Sequence, residues 1–249
     1  MIVADSRRNH FLREVSLPKI GIVCSNWGRA DRISKIINID KVFEDPWGPK
    51  IYVGNLNKLN IFVASVPIGS GCGLYFTEFF NSGAKIIVRF GTNDTPPFEP
   101  DREKVKLVRA VNNLYGFSRE SGIENPGGDI QGSKFILEAF LAANSNQGDL
   151  IFETVNCTHV ENFYALQYPD MYPPDRAKRI KSIFNTSGNC HDMETAILYQ
   201  CAEDFGAQAL TILQTVNKNK SNPYDDSIVL NNEKNIAKFI LNTLGAIHV

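Results

Sequence analysis

The sequence predicts one α/β domain spanning residues 1–249, with a mixed central sheet covered by helices on both faces, a three-layer α/β/α arrangement. Short apolar segments, typical of buried strands, alternate along the chain with longer amphipathic segments, typical of helices. The chain is long enough to bury one large core. No internal repeat or low-complexity linker divides it, and this favours a single domain.

The strand predictions rest on short apolar runs that end in turn-forming residues. The clearest is KIGIVC at residues 19–24, a continuous apolar run of the kind found in sheets that are buried on both faces. Strands are predicted at residues 19–24, 51–53, 60–66, 85–90, 105–111, 150–155 and 209–216.

The helix predictions rest on apolar positions that recur three or four residues apart. Helices are predicted at residues 29–37, 70–82, 134–143, 193–205 and 233–244. Asp192 is well placed to cap the fourth of these. Turns or loops are predicted at residues 91–95, 122–132 and 168–174, where Gly, Pro, Asn and Asp cluster.

Composition narrows the class of protein. A hydrophobic fraction of 43% with 21% charged residues is ordinary for a globular protein. The formal net charge of -1 gives no general electrostatic reason to bind nucleic acid or a membrane surface. The N-terminal segment has no long apolar run, so neither a signal peptide nor a membrane span is expected. The five scattered cysteines indicate reduced thiols and a cytoplasmic protein.

Polar turns follow three of the predicted strands, at residues 25–29, 91–95 and 217–221. Ligands of open α/β sheets gather at the carboxyl ends of the strands. These turns are therefore expected to share one pocket.

Two arginines are candidates for binding an anion in that pocket. Arg29 lies in the first turn of a helix, where free backbone N–H groups favour anions, or it is an ordinary solvated residue. Arg89 lies inside an apolar strand, so it needs an anionic ligand or a structural partner such as Asp192 or Glu194. Thr92 could offer a hydroxyl to the same anion.

Glu194 lies close to a predicted helix start. It either compensates the helix dipole or accepts hydrogen bonds from two vicinal hydroxyls of a ligand. The Cys and His spacings around residues 157–159 and 190–191 match no standard zinc pattern, so no metal is expected.

Five segments, taken in order, resemble motifs of the nucleoside phosphorylase family, which includes uridine phosphorylase and the hexameric purine nucleoside phosphorylases. They are GRADRI at 28–33, IGSG at 68–71, SGAKIIVRFGT at 82–92, ENFY at 161–164 and DMETA at 192–196. The resemblance covers most of the chain. It implies the fold of that family and the cleavage of a nucleoside by phosphate to free base and ribose 1-phosphate. Inorganic phosphate is then a co-substrate, and no cofactor is implied.

The resemblance also implies roles for single residues, with Arg89 and Glu194 as the catalytic pair. The residues expected to bind phosphate are Ser25, Arg29, Arg89 and Thr92. Those expected to bind ribose are His10, Met193 and Glu194, and those expected to bind the base are Phe163, Gln167 and Asn217. His10 would reach the ribose of a neighbouring subunit, which implies a homodimer or a hexamer built from dimers.

The residues expected to surround the base favour uridine. An aspartate protonates the purine in the purine enzymes, and Asn217, which stands in the corresponding segment, cannot supply a proton. Gln167 matches the glutamine that holds uracil in uridine phosphorylases, where an amide can both donate and accept. A purine nucleoside phosphorylase that uses another acid is the alternative.

Three departures from the family pattern support two further alternatives. Residues 25–27 replace a Gly-Asp-Pro turn, Asp94 replaces a glycine, and Pro169 replaces an arginine. The altered turn favours a hydrolytic nucleosidase, and Asp94 together with Trp27 favours a catalytically weak, nucleoside-binding paralogue. Arg29 and Arg89, which are retained, favour the phosphorylase.

Overall fold

A computed structural model describes residues 2–44, 48–94, 104–113, 128–144, 150–162, 165, 168–185, 190–216 and 227–247. The strands in these ranges are β1 Ile20–Cys24, β2 Asn38–Phe43, β3 Ile51–Leu56, β4 Leu59–Ser65, β5 Ile86–Asp94, β6 Lys104–Asn113, β7 Asp129–Gln131, β8 Ile151–His159, β9 His191–Asp192 and β10 Gln208–Val216. The α-helices are α1 Trp27–Ser34, α2 Cys72–Asn81, α3 Lys134–Ala143, α4 Pro174–Asn185, α5 Thr195–Asp204 and α6 Ser227–Ala246. Short 3₁₀ turns span Ser6–Arg8 and Pro169–Met171.

The described strands form one mixed sheet in the order β2-β3-β4-β1-β5-β10-β6-β8-β9, with β7 paired to β6. The four central strands β4, β1, β5 and β10 run parallel to one another. Strand β6 is antiparallel to β10, whereas β8 and β9 continue parallel to β6. The side chain of Asn93 accepts a hydrogen bond from the backbone of His191, so β9 also lies against the end of β5.

Two apolar cores confirm the predicted mixed sheet with a helical layer on each face. The first packs the sheet against α2 and α5, and the second packs it against α1, α3 and α6. Neighbours along β5 alternate between them, because Ile87 belongs to the first core and Val88 and Phe90 to the second. Within the described residues, no helix is both long and apolar enough to cross a bilayer.

Three predictions of turns or loops are corrected by the structure, and one strand was not predicted. Residues 91–94, predicted as a turn, continue strand β5. Part of the predicted loop 122–132 is strand β7, and the predicted loop 168–174 contains a 3₁₀ turn that leads into helix α4. Strand β2 was not predicted, because its sequence NIDKVF has neither a continuous apolar run nor a regular alternation of apolar and polar residues. Its residues are mostly solvent-exposed, since the strand lies at the edge of the sheet.

Several element boundaries also shift. Helix α6 begins at Ser227, six residues before the predicted start at 233, and α5 begins at Thr195 rather than 193. Strand β8 continues four residues past 155, to His159. These polar extensions of β5 and β8 carry the strand ends to the candidate site.

Candidate functional site

Arg89 is the centre of a buried polar cluster at the carboxyl edge of the parallel strands. Its side chain is almost fully buried. Its Nη1 lies 2.9 Å from Oδ1 of Asp192. Its Nη2 donates a short hydrogen bond to Oε2 of Glu194. The same Nη2 lies 3.3 Å from Oγ of Ser25. Both carboxylates that the sequence offered as structural partners therefore contact Arg89, and Ser25 completes the cluster.

The glycine two residues after Arg89 makes this arrangement sterically feasible. A Cβ at Gly91 would lie 2.6 Å from Nη1 of Arg89 and 2.8 Å from Leu213. The guanidinium of Arg89 therefore passes over Gly91 towards the end of β5, a path that a larger residue would block.

Asp192 accepts more hydrogen bonds than Glu194 does. Its Oδ2 accepts hydrogen bonds from the backbone N–H of Glu194 at 2.9 Å, and from the backbone N–H and hydroxyl of Thr195 at 2.7 and 2.6 Å. Burial opposes its ionisation, but Arg89 and these donors lower the pKa of Asp192 below its usual range. The N-cap residue of α5 is Glu194, not Asp192 as predicted. Asp192 instead lies two residues earlier, binds the backbone N–H groups of Glu194 and Thr195 at the start of α5, and anchors Arg89.

Glu194 has fewer hydrogen-bond donors than Asp192 to offset the cost of burying its charge. Its Oε1 accepts a hydrogen bond of 2.7 Å from the backbone N–H of Gly69, and its Oε2 contacts Arg89. Burial raises the pKa of Glu194 to about 7, and repulsion from Asp192 acts in the same direction. One arginine cannot neutralise two carboxylates, so the cluster carries an excess negative charge when Glu194 is ionised.

Met193 lies beside Glu194 at the loop that precedes α2. A Cβ at Gly69, whose φ is +80°, would lie 3.6 Å from Cε of Met193. The loop therefore contacts both Met193 and Glu194, and Met193 is only partly buried. The structure brings four of the predicted site residues together: Ser25, Arg89, Met193 and Glu194.

Arg29 lies on the other face of β5. It is 1% exposed, so it is not the solvated residue of a helix start. Its Nε lies 3.0 Å from Oε2 of Glu233 on α6, its Nη1 donates to the backbone oxygen of Phe90 at 3.1 Å, and its guanidinium covers the Phe90 ring. Glu233 also contacts Arg32, at 2.5 and 2.9 Å.

Thr92 is placed with Arg29 rather than with Arg89. Strand alternation puts Thr92 on the face of Phe90 and puts Asn93 on the face of Arg89. Thr92 is partly exposed. The predicted phosphate residues are therefore divided between the two faces of β5, at its carboxyl end.

His10 is exposed, on an N-terminal segment that a buried glutamate holds in place. The backbone N–H groups of His10, Phe11 and Leu12 donate to the carboxylate of Glu78 on α2, at 2.7 to 3.1 Å. The imidazole of His10 contacts the ring of Phe11 edge-on, with 4.8 Å between ring centroids. These contacts fix the segment but leave the His10 side chain in solvent.

The three predicted base-binding residues, Phe163, Gln167 and Asn217, lie outside the described residues.

Two further polar side chains at this edge of the sheet were not assigned a binding role from the sequence. Asn93 is fully buried, and its Nδ2 has no hydrogen-bond partner among the described residues. His159, at the end of β8, is 4% exposed, and within the same part of the chain neither of its ring nitrogens is paired. Burial lowers the pKa of His159 and so keeps it neutral near pH 7. The sequence could have identified Asn93, because it lies four residues after Arg89 and strand alternation puts both on the same face. No sequence pattern assigned a binding role to His159.

Comparisons with known proteins give matches at the level of structure. No protein-family model matches the sequence, and no curated protein matches it. A purine nucleoside phosphorylase from Toxoplasma gondii, solved in complex with immucillin-H, matches with a TM-score of 0.76 and 17% identity, over 98% of this chain and 97% of that one.

Two structures of uridine phosphorylase from Vibrio fischeri ES114 match as well. One was solved with 6-hydroxy-1-naphthoic acid, and each has a TM-score of 0.77 and 17% identity. The match covers 98% of this chain and 98% or 99% of the other. The chain therefore has the nucleoside phosphorylase fold.

Proposed function

We propose that this protein is a nucleoside phosphorylase that cleaves a nucleoside with inorganic phosphate, giving the free base and ribose 1-phosphate. The observation that carries the proposal is the buried Arg89, held by Asp192 and Glu194 beside Ser25 at the carboxyl edge of the sheet. A buried guanidinium between a hydroxyl and a titratable carboxylate is suited to an anion on one side and sugar hydroxyls on the other.

In the proposed reaction, phosphate binds to Arg89 and Ser25. Glu194 accepts hydrogen bonds from the ribose hydroxyls, and Met193 packs against the sugar. The glycosidic bond breaks early, so positive charge develops on the sugar, and the bound phosphate stabilises this charge before attacking the anomeric carbon. Positioning and preorganised electrostatics supply most of the rate enhancement, and no covalent enzyme intermediate is needed.

Arg29 and Thr92 are proposed to complete the phosphate site from the other face of β5. Arg29 must then exchange Glu233 for phosphate. Glu233 remains paired in that state, because its carboxylate also contacts Arg32 at 2.5 and 2.9 Å. The cost of releasing Arg29 is reduced by this shared arrangement, since no buried charge is left alone.

Uridine is the proposed substrate, on sequence grounds. Gln167 offers an amide that can pair with the uracil edge, and the amide of Asn217 is not acidic enough to protonate a purine leaving group. The protein is further proposed to act in the cytoplasm as a homodimer or a hexamer built from dimers, with His10 reaching the ribose of the neighbouring subunit. Sedimentation of the purified chain tests the assembly.

A hydrolytic nucleosidase is the second candidate, and one observation favours it. Both candidate phosphate arginines already have carboxylate partners, Arg89 with Asp192 and Glu194, and Arg29 with Glu233. A site whose positive charge is already neutralised suits water as the nucleophile better than it suits a phosphate dianion.

Release of free base from uridine and from inosine, each with and without phosphate, separates these functions. We expect uracil release that requires phosphate. Release without phosphate would instead identify a nucleosidase, and faster release from inosine would reverse the substrate preference. Binding of both nucleosides without release would identify a nucleoside-binding protein.

A further inference from the structure

Two buried cysteines are in direct contact beside the candidate site. Cys157 lies near the end of β8 and Cys190 directly precedes β9, and each is 2% exposed. Their Sγ atoms are 3.1 Å apart, and both are free thiols in this structure. The two residues are separated by 33 positions in the sequence.

Strand pairing places the backbones of the two cysteines at a spacing that a disulfide allows. Thr158 donates to the backbone oxygen of Cys190 at 2.8 Å, and in the parallel register Thr158 faces His191. Cys157 and Cys190 therefore face each other one step earlier, on chains that lie about 4.8 Å apart. This separation falls within the range of about 4.4–6.8 Å between the Cα atoms of disulfides. The two sulfurs need to approach by only about 1 Å to reach the S–S bond length of about 2.05 Å.

We propose that Cys157 and Cys190 form a modification site, a thiol pair that a hydroperoxide converts reversibly into an intramolecular disulfide. One thiol attacks the peroxide, becomes a sulfenic acid and releases one water, when hydrogen peroxide is the oxidant. The second thiol then attacks the sulfenic sulfur, forming the S–S bond and releasing a second water. The pair loses two protons and two electrons, and the peroxide gains them as it is reduced to two molecules of water.

The environment of the pair makes the first of these steps slow and the second fast. Burial raises the pKa of the Cys157 thiol, so the reactive thiolate is scarce at neutral pH. Once a sulfenic acid has formed, the second sulfur is already in contact with it, and no chain movement is needed to bring them together. A disulfide with these properties in a reducing compartment is transient and responds to oxidant.

The bridge would tie together two segments that hold the candidate site. Cys190 lies two residues before Asp192, which holds Arg89 and binds the first backbone N–H of α5. Cys157 lies two residues before His159. A disulfide here closes a loop of 33 positions, which restricts the unfolded chain and raises the midpoint of thermal unfolding.

The test is a map of the cysteines in the full-length folded protein after exposure to hydrogen peroxide. Remaining thiols are alkylated under denaturing conditions, and the tryptic peptides are analysed by mass spectrometry. Of the five cysteines, we expect Cys157 and Cys190 to lose their alkylation and to appear as one cross-linked peptide pair, lighter than the two thiol peptides by two hydrogen atoms. Dithiothreitol should restore both thiols.

Two variants control for buried thiols in general. Cys190→Ala should abolish the cross-linked peptide, whereas Cys201→Ala, which removes a buried thiol of α5, should leave it intact. The proposal is overturned if both cysteines are still alkylated after prolonged exposure to a large excess of peroxide over the dose that oxidises them in the urea-unfolded chain, or if either one bridges to a different cysteine.

Thermal unfolding supplies a second measurement that does not depend on variants. The oxidised protein should unfold several degrees higher than the reduced one, and dithiothreitol should reverse the shift. An unchanged or lower midpoint would mean that the bridge does not fit the native strands, and would overturn the proposal. Neither measurement uses a nucleoside, so the result is independent of the proposed catalytic function.

Discussion

One arginine, placed between two carboxylates, is the residue on which the proposed chemistry depends most. Asp192 forms an ion pair with Arg89 and accepts hydrogen bonds from Glu194 and Thr195. Glu194 forms an ion pair with Arg89 and accepts a hydrogen bond from one backbone N–H, that of Gly69. The carboxylate with more hydrogen-bond donors, Asp192, stays ionised, and Glu194 takes up the proton when the cluster must be neutral. Glu194 is therefore the residue of this cluster whose charge changes near neutral pH.

Replacement of Arg89 tests its assigned role in catalysis. Arg89→Ala should reduce phosphate-dependent turnover of nucleoside by at least about 100-fold, because it removes the buried cation proposed to hold phosphate. Cys190→Ala, which changes a buried side chain two residues from Asp192, should change turnover little. Steady-state rates measure both effects, with circular dichroism to verify that each variant is folded. Comparable losses in both variants, or in neither, would contradict the assignment.

The raised pKa of Glu194 predicts an unusual dependence of stability on pH. The folded protein holds this proton up to about pH 7, whereas the unfolded chain releases it near the ordinary value of 4.5. The free energy of unfolding should therefore fall as pH rises from about 4.5 to 7, by roughly 3 kcal/mol from this group, since one pKa unit corresponds to about 1.4 kcal/mol.

Urea unfolding of Glu194→Gln at several pH values measures this contribution. The variant should lose the fall in stability between pH 5 and 7, whereas Glu203→Gln, an exposed control on α5, should retain it. If Glu194→Gln and the unmodified protein show the same pH profile, Glu194 is ionised throughout this range.

At the scale of elements, buried carboxylates join helices and loops that are distant in sequence. Glu233 on α6 contacts Arg29 and Arg32 on α1, 204 and 201 positions away. Glu78 on α2 binds the backbone of the segment that carries His10. The periodicity of apolar residues does not predict these contacts, because a charged residue on an amphipathic helix is normally expected to face solvent.

Replacement of Glu233 should be costly because it leaves Arg29 buried without its partner. We expect Glu233→Ala to lower the free energy of unfolding by about 3–5 kcal/mol. Arg32→Ala removes a guanidinium whose side chain is 38% exposed, and should cost about 1 kcal/mol or less. Urea unfolding compares the two, and equal costs would show that Arg29 does not depend on Glu233.

Replacement of Glu78 should release the N-terminal segment. Its carboxylate accepts from three consecutive backbone N–H groups, so Glu78→Ala leaves those donors without their charged acceptor. We expect trypsin to cleave after Arg13 at least about tenfold faster than in the unmodified protein. Glu138→Ala, at an exposed position of α3, is the control. An unchanged cleavage rate would show that other contacts hold the segment.

Across the whole molecule, the sequence predicted those elements whose burial is reflected in the pattern of apolar residues. The predicted core strands are present, because a strand buried on both faces must be a short apolar run, as at β1 and β5. The exposed edge strand β2 and the proline-led helix α4 were not predicted. Pro174 opens α4 at a position where proline is tolerated, yet the cluster of prolines before it is typical of a loop.

The site was predictable to the extent that its residues lie in strands and at helix starts. Arg89 was identifiable because a charge in an apolar strand needs a partner, and the structure supplies two of them. The burial of Arg29 against Glu233 was not predictable, since it depends on how α6 packs against α1. The contact between Cys157 and Cys190 depends in the same way on the register of β8 and β9.

In the proposed reaction, phosphate is a reactant that becomes attached to the sugar. Phosphorus NMR of the protein mixed with uridine and inorganic phosphate follows this transfer. We expect the phosphate resonance to decline while a sugar-phosphate resonance grows in step with free uracil. Uracil that accumulates while the phosphate resonance stays unchanged would contradict it, as would a sample in which neither product forms.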